Sequence, residues 1–219
     1  VREYLRKSEN GYLSEAETRK ILRDVTLGLI FLHSNNIVHH DMKLGNFVIG
    51  SNGKVKITDF GLSALLKNED ENLFLTGGTT NYLSPEIIKN EQHNFGVDIW
   101  AIGVCCFIML TGQPPFDAST KEAVYQKIVN GDFHFPLKNK LSNDAKNFIK
   151  ASLKIDQKKR PTAYELYNHP FLSKIDNVMV QLYNPQKSAS SSQKVMHSNS
   201  AQQFHKVHHL YKFRIGSAI

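Results

Sequence analysis

The chain has 219 residues and a formal net charge of +7; 41% of its residues are hydrophobic and 21% are charged, as is ordinary for a soluble globular domain. Its longest uncharged apolar run, Ile99 to Leu110, is too short for a membrane span, which needs about 18 residues, and it indicates a buried core helix instead. Cys105 and Cys106 are adjacent inside that run, which excludes a disulfide framework and a zinc spacing and fits a reducing cytosol or nucleus.

The first predicted elements are a long helix and a pair of short strands. Residues 14–34 have apolar positions at three- and four-residue steps, and Ser14 with Glu17 forms a capping-box pattern at the start. Residues 47–49 and 55–57 read as two brief strands joined by a turn at residues 51–53.

The middle of the chain predicts one long loop followed by several helices. Residues 62–84 are polar and mixed, which indicates a surface loop of functional length. Four helices are predicted after it, at 97–111, at 120–130, at 142–153 and after Pro161. The helix at 120–130 would begin at Ser119 and end at Gly131, and Ser142 would cap the next one.

The last residues differ in character from the rest. Residues 1–173 carry 21 Lys and Arg against 19 Asp and Glu, a balance of +2, whereas residues 174–219 carry 6 against 1, a balance of +5. The second segment is rich in Ser, Gln and His with weak hydrophobic patterning, so we expect a disordered basic tail. Such a tail argues only weakly for an acidic partner or a membrane surface, and we expect no nucleic-acid or membrane partner.

Three clusters carry candidate chemistry, and their order matters more than any one of them. His39 to Asn46 follows a helix and precedes a strand, Asp59-Phe60-Gly61 follows the next strand, and Gly78 to Glu86 ends the long loop. An Asp-Phe-Gly triplet alone is a weak signal, and an Asp followed by Lys and Asn is weaker still. Their ordered combination, with the strands placed between them, is strong support for a common site.

The residue types fit a phosphoryl-transfer site. Such a site needs a carboxylate at the attacking hydroxyl, a positive charge on the moving phosphate, and oxygen ligands for magnesium. Asp41 suits the first role and Lys43, two residues further along an extended loop, suits the second. Asn46 and Asp59 suit the third, because the strand pair between them would bring them together.

These clusters resemble the catalytic-loop, magnesium-loop and activation-segment signatures of protein kinases. The resemblance covers residues 1 to about 173 and includes Asp98-Ile99-Trp100, whose Asp in the family holds the catalytic-loop backbone, and Arg160, which in the family pairs with the Glu at position 86. Lys43 and Thr79 resemble the Ser/Thr class. The runs 43–46, 78–86 and 112–116 resemble polo-like kinases, with residues 81–86 leaning toward the centriole-duplicating Sak branch.

The resemblance implies a mainly α fold, the C-terminal lobe of the two-lobed α+β protein kinase architecture. It implies Asp41, Lys43 and Thr79 as catalytic residues, and a site for ATP with Mg²⁺. Nucleotide contacts would come from Lys43, Asn46, Val48 and Asp59, with Asn46 and Asp59 as the metal ligands. The expected partners are ATP and a protein substrate, in the cytoplasm or nucleus or at the centrosome, with no regulatory partner identified.

Two departures from the family pattern stand out. The sequence has no glycine-rich strand–turn, no Val-Ala-x-Lys strand and no helix that supplies the Glu partner of that Lys. We therefore expect the N-terminal lobe to be absent here and to precede Val1 in a longer protein. We also expect residues 1–219 alone to bind ATP poorly. Most kinases also have Arg where His40 stands, and the phosphorylated Thr of polo-like kinases would align with Leu75. The neighbouring Thr76 could substitute for it.

The sequence therefore favours a polo-like Ser/Thr protein kinase that transfers the γ-phosphoryl group of Mg-ATP to protein hydroxyls, with a cell-cycle or centriole-related role. The alternative is a truncated or degenerate kinase that acts as a binding module without catalysis. The presence of Asp41, Lys43, Asn46 and Asp59 favours the enzyme, while the missing lobe and His40 keep the alternative open.

Overall fold

The computed structural model describes residues 1–66 and 79–173, and these form a helical body carrying two small sheets. The helices are α1 (Arg2–Arg6), α2 (Glu15–Ser34), α3 (Pro85–Ile88), α4 (Gly96–Thr111), α5 (Lys121–Asn130), α6 (Asn143–Ser152), α7 (Ala163–Tyr167) and α8 (Pro170–Ser173). The strands are β1 (Ile37–Val38), β2 (Phe47–Ile49), β3 (Val55–Ile57) and β4 (Ala64–Leu65). None of the helices within these two ranges is long and apolar enough to cross a membrane.

Helix α2 begins where its sequence signal predicts. The Ser14 hydroxyl accepts the N–H of Glu17, and the Glu17 carboxylate accepts the N–H of Ser14, which satisfies two donors that the helix start would otherwise expose. Further along α2 the Asp24 carboxylate accepts the N–H of Val55 at 3.0 Å, so the helix also fixes strand β3.

Helix α4 is the centre of the core, because it is apolar on every face and buried along nearly its whole length. Trp100 is fully buried and stacks on Phe116 with ring centroids 5.5 Å apart. Gly103 allows α6 to approach closely, since a Cβ there would lie 2.6 Å from the Cβ of Ser152. Gly112 ends the helix in the left-handed conformation.

The strands form two antiparallel pairs around the predicted catalytic loop. Strand β2 pairs with β3, with Val48 opposite Lys56. Strand β1 pairs with β4, with Val38 opposite Ala64. Residues 39–46 therefore leave one sheet and enter the other, which fixes both ends of that loop.

Several predictions are confirmed and some are wrong in detail. The bounds of α2 and of strands β2 and β3 agree with the sequence, and Ser142 caps α6. The cap of α5 is Thr120 and not Ser119, since the Thr120 hydroxyl accepts the N–H of Ala123. Both residue types can cap a helix, and α5 begins one residue later than predicted. The predicted loop over 62–84 contains β4 and a 3₁₀ turn at Thr80–Tyr82. Its residues 67–78, and the predicted tail at 174–219, lie outside the described residues.

Candidate active site

The 39–46 loop is anchored from below by a buried carboxylate on α4. Asp98 is 1% exposed, and its two oxygens accept the backbone N–H groups of His39 and His40, each at 2.9 Å. The Nε2 atom of His33 lies 3.0 Å from the same carboxylate. The sequence expectation that Asp98 holds this loop is thus confirmed.

The electrostatic state of Asp98 follows from these contacts. Burial alone would raise the pKa of its carboxyl, but hydrogen bonds from His33 and from the His39 N–H hold that pKa below its ordinary value. Asp98 is therefore an anion at neutral pH, and its bonds to the loop are charge-assisted and strong.

His40 gives the loop a sharp bend. Its φ is +65°, in the left-handed region that non-glycine residues enter rarely and His more readily than most. A residue in this region costs free energy and persists only where neighbouring contacts hold it. Here the bond to Asp98 fixes the backbone on one side of the bend, and the next residue is Asp41.

Asp41, Lys43 and Asn46 converge within hydrogen-bonding distance. The Lys43 Nζ donates to Asp41 Oδ2 at 2.6 Å. The Asn46 Nδ2 donates to that same oxygen and to the Asp41 backbone carbonyl, both at 2.9 Å. Asp41 is 9% exposed and Asn46 is 6% exposed, so both are held rigidly at the edge of the body.

Thr79, which lies in the third sequence cluster (Gly78 to Glu86), contacts both Lys43 and Asp41. Its Oγ1 lies 3.3 Å from Lys43 Nζ and 3.5 Å from Asp41 Oδ1. The second distance is at the upper limit for a hydrogen bond. The contacts agree with the expectation that Thr79 bridges these two residues, across 36 and 38 positions of sequence.

Asp59 lies beside this cluster through the strand pair. The N–H and Oγ1 of Thr58 donate to the Asn46 carbonyl at 2.9 and 3.1 Å, which places the next residue, Asp59, adjacent to Asn46. Asp59 has φ +66° and is exposed, and among the described residues its Oδ1 accepts a long bond from the Gly61 N–H at 3.4 Å. Its carboxylate is therefore available to solvent or a ligand.

Apolar side chains line the same exposed edge. Val48, on β2, and Phe60 are each 49% exposed, and the Phe60 ring packs edge-on against His39 at 5.1 Å. Below the loop lies a small cavity of about 20 Å³, with Asp41, Thr79 and Ser84 in its lining. The charged cluster thus lies between the exposed side chains of Val48 and Phe60 on one side and this cavity on the other.

A buried ion pair fixes the C-terminal end of the activation segment. Glu86 and Arg160 form a bidentate pair at 2.5 and 2.8 Å, with side chains 3% and 1% exposed. Arg160 also donates to the carbonyls of Gly96, Lys154 and Ile155, so its five N–H donors are all used. This pairing is the one that the resemblance to protein kinases implied.

Sequence reasoning missed two histidines. His33 packs on Phe95 with the ring centroids 4.6 Å apart, and its Nε2 atom also contacts the Asp98 carboxylate. His93 was not singled out at all, yet it is fully buried with its Nε2 3.0 Å from His40 Nε2. No sequence signal identifies such residues, because each works through a partner more than 50 positions away.

The donor set fits magnesium and phosphate. Asp59 and Asn46 offer hard oxygen atoms, which Mg²⁺ prefers. Since the Asn46 amide nitrogen faces Asp41, its amide oxygen is the atom that remains for a metal. Lys43 supplies a compact cation next to the Asp41 carboxylate. The cation can bind an anion such as phosphate while the carboxylate binds a neighbouring hydroxyl.

Comparison with known proteins is consistent with this geometry. The family described as "Protein kinase domain" matches residues 1–172. The chain is 38% identical over 170 residues to the serine/threonine-protein kinase PLK4 of Nematostella vectensis, covering 78% of this chain and 17% of that protein. It is 37% identical over 177 residues to the probable cell cycle serine/threonine-protein kinase CDC5 homolog of Encephalitozoon cuniculi, covering 80% and 37%.

A third similar protein is the probable serine/threonine-protein kinase CCRP1 of Zea mays, 36% identical over 167 residues, covering 76% of this chain and 27% of that protein. The chain thus spans between 17% and 37% of the length of these three relatives.

Proposed function

Since this chain belongs to the protein kinase family and its similar proteins include polo-like Ser/Thr kinases, we propose that it provides the catalytic loop of a Ser/Thr protein kinase. The whole protein would transfer the γ-phosphoryl group of Mg-ATP to Ser or Thr hydroxyls of a protein substrate. By analogy with these relatives we propose a cell-cycle or centriole-related role, in the cytoplasm or nucleus or at the centrosome.

The convergence of Asp41, Lys43, Asn46 and Thr79 carries this proposal. Asp41 would orient the substrate hydroxyl and accept its proton. Lys43, bonded to that carboxylate at 2.6 Å, would contact the transferred phosphate. Thr79 would hold Lys43 in this position from the activation segment.

Asn46 and Asp59 would hold Mg²⁺, and Val48 would contact the nucleotide from its exposed position on β2. The bound ion supplies charge neutralisation on the phosphates. The parts of the family's nucleotide site that cover the phosphates and align them are a glycine-rich loop and a strand lysine. We propose that these are contributed by sequence outside residues 1–219.

The test is the phosphorylation rate of the whole protein with Asp41→Asn. The substitution keeps the shape of the side chain and removes the base, so the rate should fall by about 10²–10⁴-fold. Asp24→Asn is the matched control, because Asp24 also accepts a backbone N–H but lies on α2 away from the cluster. A rate for Asp41→Asn within about threefold of the parent would contradict the assignment.

A second variant tests the metal ligands. Asp59→Asn removes one ligand charge from an exposed position, so half-saturation should need more Mg²⁺ while the unfolding midpoint stays close to that of the parent. An unchanged magnesium titration would refute the role of Asp59.

The alternative is a binding module that lacks catalysis, and His40 in place of the family's Arg is the observation that favours it. If the whole parent protein phosphorylates no substrate while retaining Mg-ATP binding, the binding module becomes the better proposal.

A further inference from the structure

Two imidazole rings meet beneath the bend of the 39–46 loop. His40 Nε2 lies 3.0 Å from His93 Nε2, and the ring planes are nearly perpendicular at 87°. The outer nitrogens face backbone carbonyls: His40 Nδ1 lies 3.0 Å from the Leu62 oxygen, and His93 Nδ1 lies 3.3 Å from the Glu91 oxygen. His93 is fully buried.

The proton positions of this pair follow from its contacts. Two carbonyls and a nitrogen–nitrogen contact would together need three N–H donors, whereas two neutral imidazoles have only two. The two shorter contacts are then the hydrogen bonds: His40 Nδ1–H donates to Leu62, and His93 Nε2–H donates to His40 Nε2. The longer contact to Glu91 is the one left without a proton.

The surroundings keep the pair neutral. Burial lowers the pKa of His40 and of His93, although the carboxylates of Asp98 and Glu86 oppose that shift and His39 adds to it for His40. Asp98 is already bonded to the loop backbone, and Glu86 is already bonded to Arg160. A neutral pair has one fixed arrangement of its protons and therefore one direction of bonding.

Both ring nitrogens of His40 are thus hydrogen-bonded, and so is its backbone N–H. Its side-chain bonds join the loop to the segment after Asp59 and to the segment before α4, and its N–H bonds to Asp98. This matters because His40 is in the left-handed region, from which an unrestrained residue relaxes. Relaxation there would redirect Asp41, its immediate neighbour.

We propose that His93 is a positioning residue for phosphoryl transfer, which donates its Nε2–H to His40 Nε2 and thereby fixes the bend that aims Asp41. This inference rests on the proposed kinase function for its catalytic consequence, and on the geometry alone for the hydrogen bond. His93 would act through His40 and Asp41 and would touch neither nucleotide nor substrate.

Two variants of His93 separate donation from packing. His93→Leu fills a similar volume without a donor, whereas His93→Gln keeps an N–H near the same place. The whole protein with His93→Leu should show kcat about tenfold lower with KM for ATP within about twofold, because misplacement of a catalytic group by about 1 Å costs up to 10²-fold. His93→Gln should recover most of that loss. His169→Leu, a half-buried histidine away from the site, is the control and should keep the parental kcat.

A spectroscopic measurement on residues 1–219 tests the hydrogen bond without any need for activity. Imidazole nitrogen chemical shifts should show His40 with its proton on Nδ1 in the parent and in both variants, because the Leu62 carbonyl accepts that proton in all three. The unprotonated Nε2 of His40 should resonate as a hydrogen-bonded acceptor in the parent and in His93→Gln, and as a nitrogen without a donor in His93→Leu. His40→Gln assigns the signal by removing it. If the Nε2 resonance behaves in this way but the whole parent protein transfers no phosphate, the kinase proposal fails and the hydrogen bond stands.

Two results would overturn the inference. One is a His40 Nε2 resonance that does not change in His93→Leu. The other is an active parent protein in which His93→Leu keeps kcat within about threefold, or in which His93→Gln loses as much as His93→Leu.

Discussion

Asp98→Asn is the substitution that best tests how the site is held. The parent carboxylate accepts the N–H groups of His39 and His40 with separate oxygens. An amide has one oxygen, so in either orientation its NH₂ group faces one backbone N–H donor. That donor loses its acceptor inside a site where Asp98 is 1% exposed.

The expected loss follows from this count. A hydrogen bond to a charged group contributes about 1.5–3 kcal/mol, and one such bond is removed. With a urea m-value of about 2 kcal/mol/M for a domain of this size, the unfolding midpoint of residues 1–219 should fall by about 1 M. Because the pKa of Asp98 is lowered in the folded state, its ionised form adds stability above the unfolded pKa. The difference between parent and variant should therefore shrink only as the pH falls below that value.

Fluorescence of Trp100 is the natural probe, since it is the single tryptophan and is fully buried two residues after Asp98. Asp24→Asn is the matched control, because the Asp24 carboxylate accepts one backbone N–H, at Val55, from a more exposed position. A midpoint shift for Asp98→Asn no larger than that for Asp24→Asn would refute the reasoning.

Four further predictions concern stability, activity and regulation. Glu86→Gln should destabilise residues 1–219 by about 3–5 kcal/mol, because it leaves the buried Arg160 cation without its counterion; calorimetry would measure this. The free energy of unfolding should fall as the pH drops below about 6.5, because burial lowers the pKa of His93 and the unfolded chain then binds more protons than the folded one. His93→Gln should reduce this dependence of the free energy of unfolding on pH, as measured by urea titrations at several pH values. Residues 1–219 alone should phosphorylate peptides far below the roughly 1–100 per second of typical kinases. Thr76→Ala and Thr76→Asp should both keep the parental rate of the whole protein, and loss by the first with rescue by the second would contradict this.

The Thr76 prediction comes from the sequence, since residues 67–78 lie outside the described part of the structure. The usual phosphate on the activation loop binds an Arg, which is permanently charged and bidentate. Here His40 stands in that place, and its ring nitrogens contact Leu62 and His93. A ring that is neutral and already bonded offers little to a phosphate.

Local rules account for what the sequence determined by itself. Capping residues such as Ser14 and Ser142 act within three or four positions, so helix starts could be predicted from the letters alone. The apolar run 99–110 predicted the buried helix α4, because a helix that is hydrophobic on all faces must be surrounded by protein. The spacing of Asp41, Lys43, Asn46 and Asp59 indicated the chemistry, since each lies in a short loop next to a strand.

Tertiary structure decided how these residues are held, because the contacts join distant positions. The pairing of β1 with β4 and the contact of His33 with Asp98 cannot be deduced from residues so far apart in sequence. The same holds for His93, whose role depends on a ring 53 positions away. Even the start of α5, at Thr120 rather than Ser119, was a choice between two equally suitable caps that only the path of the chain into the helix could settle.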